Sequence, residues 1–295
     1  MSLSRKLSIY ALLVVFTVSA GAQASAQDAS STITVTGQKL EKKEAKRQSR
    51  SFVGQTTVIS FSQYARRNRP ICPSAIGIAE EYAAIVETRI RAIAKAAKVK
   101  TEDGECDPNL FILFTTDGNG LMTTLRKVKP GVFDSVNVRE RPMLYADPVP
   151  VRWWHSVTLA GSDGNVGNKG TNSQGNEIIE TKSFSSSLID TKIMINLTGS
   201  VVVVDIGKAT GYPLDSIAAY AAMVSFAQVK PEKAHGALPS ILAMFANGKS
   251  PGEAPRDLTA FDYAYISSLY EIRPNRVGDV QKSQIANKMA AALSE

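Results

Sequence analysis

Two histidines, His155 and His235, are the only imidazoles in a chain of 295 residues, so no centre built from three of them exists. His155 closes the run Trp153-Trp154-His155. It reads either as a satisfied histidine at a sheet edge or as one wall of a groove. His235 lies in Lys-Pro-Glu-Lys-Ala-His-Gly, a polar inter-helix loop, and reads as solvated. The pair could join a carboxylate around a metal only if folding brought them together, and their spacing gives no sign of that. The chain has no G-x-S-x-G elbow, Walker loop, dinucleotide fingerprint or H-E-x-x-H. The glycines at 161, 164, 167, 170 and 175 lack the strand–turn–helix setting of a phosphate cradle. Asp205 ends a strand and Asp215 opens a helix, where capping accounts for an acid. A carboxylate pair for glycoside hydrolysis needs no fixed spacing, so a hydrolase with an unrecognised site stays open as an alternative.

The two cysteines are Cys72 and Cys106, too few for a zinc site without matching histidines. Their reading depends on compartment. Arg5 and Lys6 precede an apolar run from Leu7 to Ala20, followed by Ala22-Gln23-Ala24 and Ala24-Ser25-Ala26. A charged start, a short apolar stretch and an A-x-A site describe a secretory signal peptide over residues 1–26, cut after Ala24 or Ala26. The expected product is periplasmic or secreted and does not span the membrane after cleavage. An oxidising compartment then favours a Cys72–Cys106 disulfide.

The net charge of +7 is concentrated. Segment 39–69 carries nine basic residues against Glu41 and Glu44, which leaves the rest of the exported chain slightly acidic. Residues 27–52 therefore read as a flexible basic leader that could touch an anionic surface. No aromatic stacking pattern accompanies the charges, so no nucleic acid is expected.

The positioning elements follow from periodicity. Val53 to Phe61 alternates like a strand, and Ile78 to Lys98 repeats like a helix. Strands are expected over Asn109–Thr115 and Val151–Leu159, with a helix over Leu121–Val128 and a long loop over 161–176. Lys192–Leu197 and Ser200–Ile206 read as a hairpin turning at Thr198-Gly199. Helices over Leu214–Val229, Pro239–Ala246, Leu258–Tyr270 and Gly278–Leu293 complete the chain. Thr259 and Asp262 have capping-box spacing. Sheet first and helices after imply a single α+β domain over 53–295, a small mixed sheet against several helices with a helical C-terminal half. Trp153, Trp154, Met223, Phe226, Met244, Phe245 and Tyr263 read mainly as core, with a subset free to line a groove for a peptide or glycan.

The order Cys72-Pro73, Arg89-Ile90-Arg91, Asn109-Leu110, Pro150-Val151-Arg152-Trp153-Trp154 and Val202–Asp205 resembles a group of uncharacterised exported proteins of Gram-negative bacteria. The stretch from Pro239-Ser240-Ile241-Leu242 through Leu258-Thr259 and Asp262 to Leu269-Tyr270 is similar to the C-terminal half of a family related to zincin metallopeptidases. That resemblance implies a zincin-like fold, with a sheet preceding an active-site helix. The matching helix here is Leu214–Val229. It offers Ser216, Ile217 and Tyr220 where zinc ligands and a glutamate base belong, and none can serve. The expectation is an exported, non-catalytic pseudoenzyme of the cell envelope, with no cofactor and no metal, binding an envelope component that the sequence does not name. Its groove would be lined by Trp153, Trp154, His155, Ser216 and Tyr220.

Overall fold

The computed structural model describes residues 39–56, 63–102, 104–137, 140–161, 168–171, 177–180, 190–230, 239–245 and 250–294. The expected signal peptide over 1–26, the part of the expected leader up to residue 38, and His235 lie outside these. Strand β7 (Ile193–Asp205) is the spine of a five-stranded mixed sheet. β4 (Val151–Gly161) runs antiparallel along one side of it. Along the other side, β1 (Arg66–Arg67) and then β3 (Leu110–Thr115) run parallel, and β2 (Pro73–Ile76) lies parallel beyond β3. The order β4-β7-β3-β2 makes β4 and β2 the two edges.

β7 can occupy the centre because Val201–Val204 is apolar on both faces. Val202 and Val204 enter the larger core, and Val203 enters a smaller one with Met122, Phe133, Leu144 and Trp154. The larger core holds α2 (Glu80–Ala96) and α5 (Leu214–Phe226) against one face of the sheet. α3 (Gly118–Val128), a 3-10 turn over Pro130–Phe133 and the one-turn α4 (Arg141–Leu144) cover the opposite face. α6 (Ala260–Glu271) and α7 (Gly278–Ser294) close the chain. The outcome is an α+β domain, and among the described residues no helix is long and apolar enough to cross a membrane.

Three expectations need correction. Residues 42–56 are neither leader nor strand but helix α1 (Lys42–Thr56). Ala45, Ser49, Phe52, Val53 and Thr56 recur at helical spacing and are buried, while Lys42, Lys43, Lys46, Arg47 and Arg50 stay exposed. The charges drew attention away from that stripe. Phe52 packs 5.7 Å from the rings of both Phe261 and Tyr265. Secondly, Thr198-Gly199 is not a turn, because β7 runs straight through it. The irregularity falls opposite, where the β4 register slips between Ser156 and Val157. Thirdly, the glycine-rich stretch contains β5 (Asn168–Thr171), which pairs antiparallel with β6 (Glu177–Glu180).

Two cations of the basic segment are structural. Arg66 donates from Nη1 to the carbonyls of Tyr270 at 2.6 Å and Ile272 at 2.8 Å, satisfying acceptors left open at the end of α6. Arg67 is buried and donates to Ser200 Oγ at 2.7 Å. Both are thereby committed to acceptors within the fold. Cys72 and Cys106 form the disulfide, with Cα atoms 6.0 Å apart. Thr259 and Asp262 form the anticipated capping box at the start of α6.

Candidate binding cleft at the β4 edge

The last turn of a helix leaves carbonyls without partners. At the end of α5 three successive ones are met by three different elements. His155 of β4 bonds Val224 O through Nε2 at 2.8 Å. Ser200 of β7 donates to Ser225 O at 3.2 Å, and Tyr270 of α6 donates to Phe226 O at 2.9 Å. Sheet and helical half are thereby fastened at one point. The chain then continues into Gln228 and Val229, which face a cavity.

That cavity, about 350 Å³, lies along β4. Val151, Arg152, Trp153, Trp154 and His155 form one wall. Ser135, Val136, Glu140 and the stretch from Pro142 to Val149 approach from the α3 side, while Gln228 and Val229 approach from the α5 side. The side chains of β4 alternate faces, so a cavity touching Arg152 and Trp154 as well as Val151 and Trp153 wraps the strand's edge.

Among the described residues, no strand pairs with the outer side of β4. Asp205 N donates to Pro150 O at 2.9 Å, which fixes the phase of the ladder. Pro150, Arg152, Trp154 and Ser156 turn their main-chain groups toward β7, and Val151, Trp153 and His155 turn theirs away. No described residue bonds to those outward groups. Further on, Val157 N is taken by Ser135 Oγ at 3.3 Å. The opposite edge differs. There Pro73 has no N–H to offer, and Ala75 N is occupied by Glu87 Oε1 at 3.0 Å.

Arg152, although it lines the cavity, is held in place. It donates to Val149 O at 2.9 Å, to Ala146 O at 2.8 Å and to Asn119 Oδ1. Nearby, Asp205 accepts from Gly118 N at 3.1 Å and from Lys208 Nζ at 2.8 Å. Burial opposes the charge on Asp205, yet Lys208 and Gly118 outweigh it and hold the carboxyl below its usual range. Burial raises the Glu140 carboxyl. Burial, with Arg67 close by, pushes the His155 imidazole down to about 4. The neutral ring must carry its proton on Nε2, since a carbonyl can only accept. Such a histidine is a weak general base at neutral pH, and its one proton is already committed.

Of the anticipated groove residues, Trp153, Trp154 and His155 line this cavity. Ser216 and Tyr220 do not, and both are buried within α5. Tyr220 instead packs edge-on against Trp153, with ring centres 6.0 Å apart. Sequence reasoning missed Ser135, Glu140, Gln228 and Val229, which no local pattern marks. Among the described residues no group of three or more His, Cys, Asp or Glu side chains could hold a metal ion. No family model, curated protein or solved structure matches the chain.

Proposed function

We propose that this is an exported, non-catalytic protein of the cell envelope, periplasmic or secreted, that keeps a zincin-like scaffold and captures extended polypeptide segments by adding them as a strand to β4. One observation carries the reading. β4 turns the main-chain groups of Val151, Trp153 and His155 into a largely apolar cavity, whereas the β2 edge is closed by Pro73 and Glu87. Strand addition draws affinity from the main-chain groups of an edge strand and selectivity from pockets that take alternate side chains. A cavity of this volume accommodates one large apolar side chain, with Gln228 and Glu140 as polar markers at its rim.

The non-catalytic part rests on α5. The helix that the zincin resemblance assigns to catalysis is buried from Ser216 to Phe226 and carries neither imidazole nor glutamate. The exposed Lys42, Lys43, Lys46, Arg47 and Arg50 of α1 supply a cationic face toward an anionic envelope component.

The chain's two tryptophans both line the cavity, so their fluorescence is a site-specific probe. The exported protein, purified without chelator, is titrated with unstructured ten-residue peptides that carry one central Leu or Phe. Saturable quenching or shift, lost when alternate peptide amides are N-methylated, is the expected result. Binding indifferent to N-methylation overturns strand addition. Stoichiometric zinc, or peptide cleavage, overturns the non-catalytic reading and leaves a periplasmic hydrolase.

A further inference from the structure

Helix α2 buries Val86, Ile90, Ile93 and Ala94 against the sheet and α5, which leaves its far side bare. That side holds two of the most exposed large apolar residues in the described chain, Tyr82 at 50% and Ile85 at 45%. Lone exposed apolar residues are ordinary, but here they belong to a pattern. Successive positions on a helix turn by about 100°, so residues seven apart nearly eclipse. Glu81, Thr88 and Lys95 therefore form one line along the exposed ridge. Glu81 and Lys95 lie equally far from Thr88, and neither takes part in an ion pair among the described residues.

We propose that α2 is the interface of a homodimer, two copies packing antiparallel about a two-fold axis through Thr88. Under that symmetry Glu81 of one copy faces Lys95 of the other, twice. On the flank of the ridge, Ile85 comes over Ala92 and Tyr82 over Ala96, large side chains against small ones. An isologous contact demands this self-complementarity of charge and of size, and the α2 ridge supplies both. Glu87 is already tied to Arg91 at 3.5 Å, and Arg89 to Asp257, so the paired charges beside the ridge stay within their own copy. α2 packs at the β2 side of the sheet, away from β4, so a dimer carries two open clefts.

The test is the oligomeric state of the full exported chain by light scattering and sedimentation. A mass near twice that of one chain is expected at tens of micromolar protein. Glu81→Lys and Lys95→Glu each place like charges together twice and should weaken association by about tenfold. Mixed in equal amounts, these two variants should pair with one another, because every contact is then again between opposite charges. Ile85→Glu should give monomer with unchanged circular dichroism, since Ile85 is half exposed in the monomer. A monomeric wild type overturns the proposal. So does a dimer that all three substitutions leave intact, or single variants that fail to pair when mixed.

Discussion

His155 Nε2 lies 2.8 Å from the carbonyl oxygen of Val224, so a side chain of the sheet edge closes the final turn of the central helix. The bond gives a histidine in an apolar strand a structural role: it is a neutral donor at a helix C-terminus. A cation there would suit the helix dipole, but burial and the neighbouring Arg67 forbid it. The structural role also bears on the cleft, because the chain just past Val224 supplies the Gln228 and Val229 wall.

A buried histidine held neutral makes stability depend on pH in a definite direction. The imidazole is pushed from its ordinary 6.5 down to about 4, so the unfolded chain binds the proton first as pH falls. The contribution is full above 6.5 and is lost progressively toward 4, roughly 3 kcal/mol in all. Chemical denaturation of His155→Gln between pH 7 and pH 4 should therefore lose less stability over that interval than the wild type does. Parallel curves for the two proteins would contradict the buried neutral state.

Asp262 acts oppositely in nearly the same interval. Burial lifts its carboxyl to about 6, against the pull of Ser240, Thr259 and the Ile241 N–H. The folded protein thus holds a proton that the unfolded chain releases near 3.8. Its contribution is present at low pH and disappears as pH rises through 6, again by roughly 3 kcal/mol. Asp262→Asn should lower stability at every pH, because the capping box is broken, yet lose more than the wild type between pH 6 and pH 4. With both residues present the two slopes offset one another. A variant carrying both substitutions should accordingly recover a slope close to that of the wild type.

What could be read from the sequence follows from how local each signal is. Leu110–Thr115 and Glu80–Ala96 were legible because their burial patterns repeat at periods of two and 3.6 within the segment itself. The Thr259–Asp262 box was legible as a three-residue spacing. α1 was not, since three lysines and two arginines match in number the five buried positions that define it, and those positions gain their meaning only from packing elsewhere. Nor was β7 as one strand, because Gly199 resembles a turn until β4 is laid beside it. The cleft was half legible. Trp153-Trp154-His155 stood out by composition, whereas Ser135, Glu140 and Gln228 join them only across long stretches of chain.

The Cys72–Cys106 disulfide joins residues 34 apart, fixing the start of β2 to the loop before β3. Chain-entropy arguments assign a loop of that length about 4 kcal/mol of stabilisation. The Cys72→Ser/Cys106→Ser double variant should lose about that much in denaturant titrations, and reductant should produce the same loss in the wild type. A loss under 1 kcal/mol would mean that Asn109, whose Oδ1 accepts from Cys72 N at 3.1 Å, holds this corner without help from sulfur.

Gly118 offers the sharpest test of the scaffold behind the cleft. A Cβ at this position would sit 2.6 Å from Arg152 Nη1 and 3.1 Å from Asp205 Oδ2, both in the buried cluster beneath the cavity. The fault is one of space alone, because this glycine occupies an ordinary helical position at the start of α3. Arg152 cannot step aside freely, being held by Val149, Ala146 and Asn119. Gly118→Ala should cost about 1–3 kcal/mol, as overpacking in a close-packed interior does. Because Arg152 adjoins Trp153 and Trp154 on the same wall of the site, the emission of both tryptophans should shift as well. An alanine variant with unaltered stability and emission would show that the guanidinium is not confined, and the floor of the cleft would then have to be redrawn.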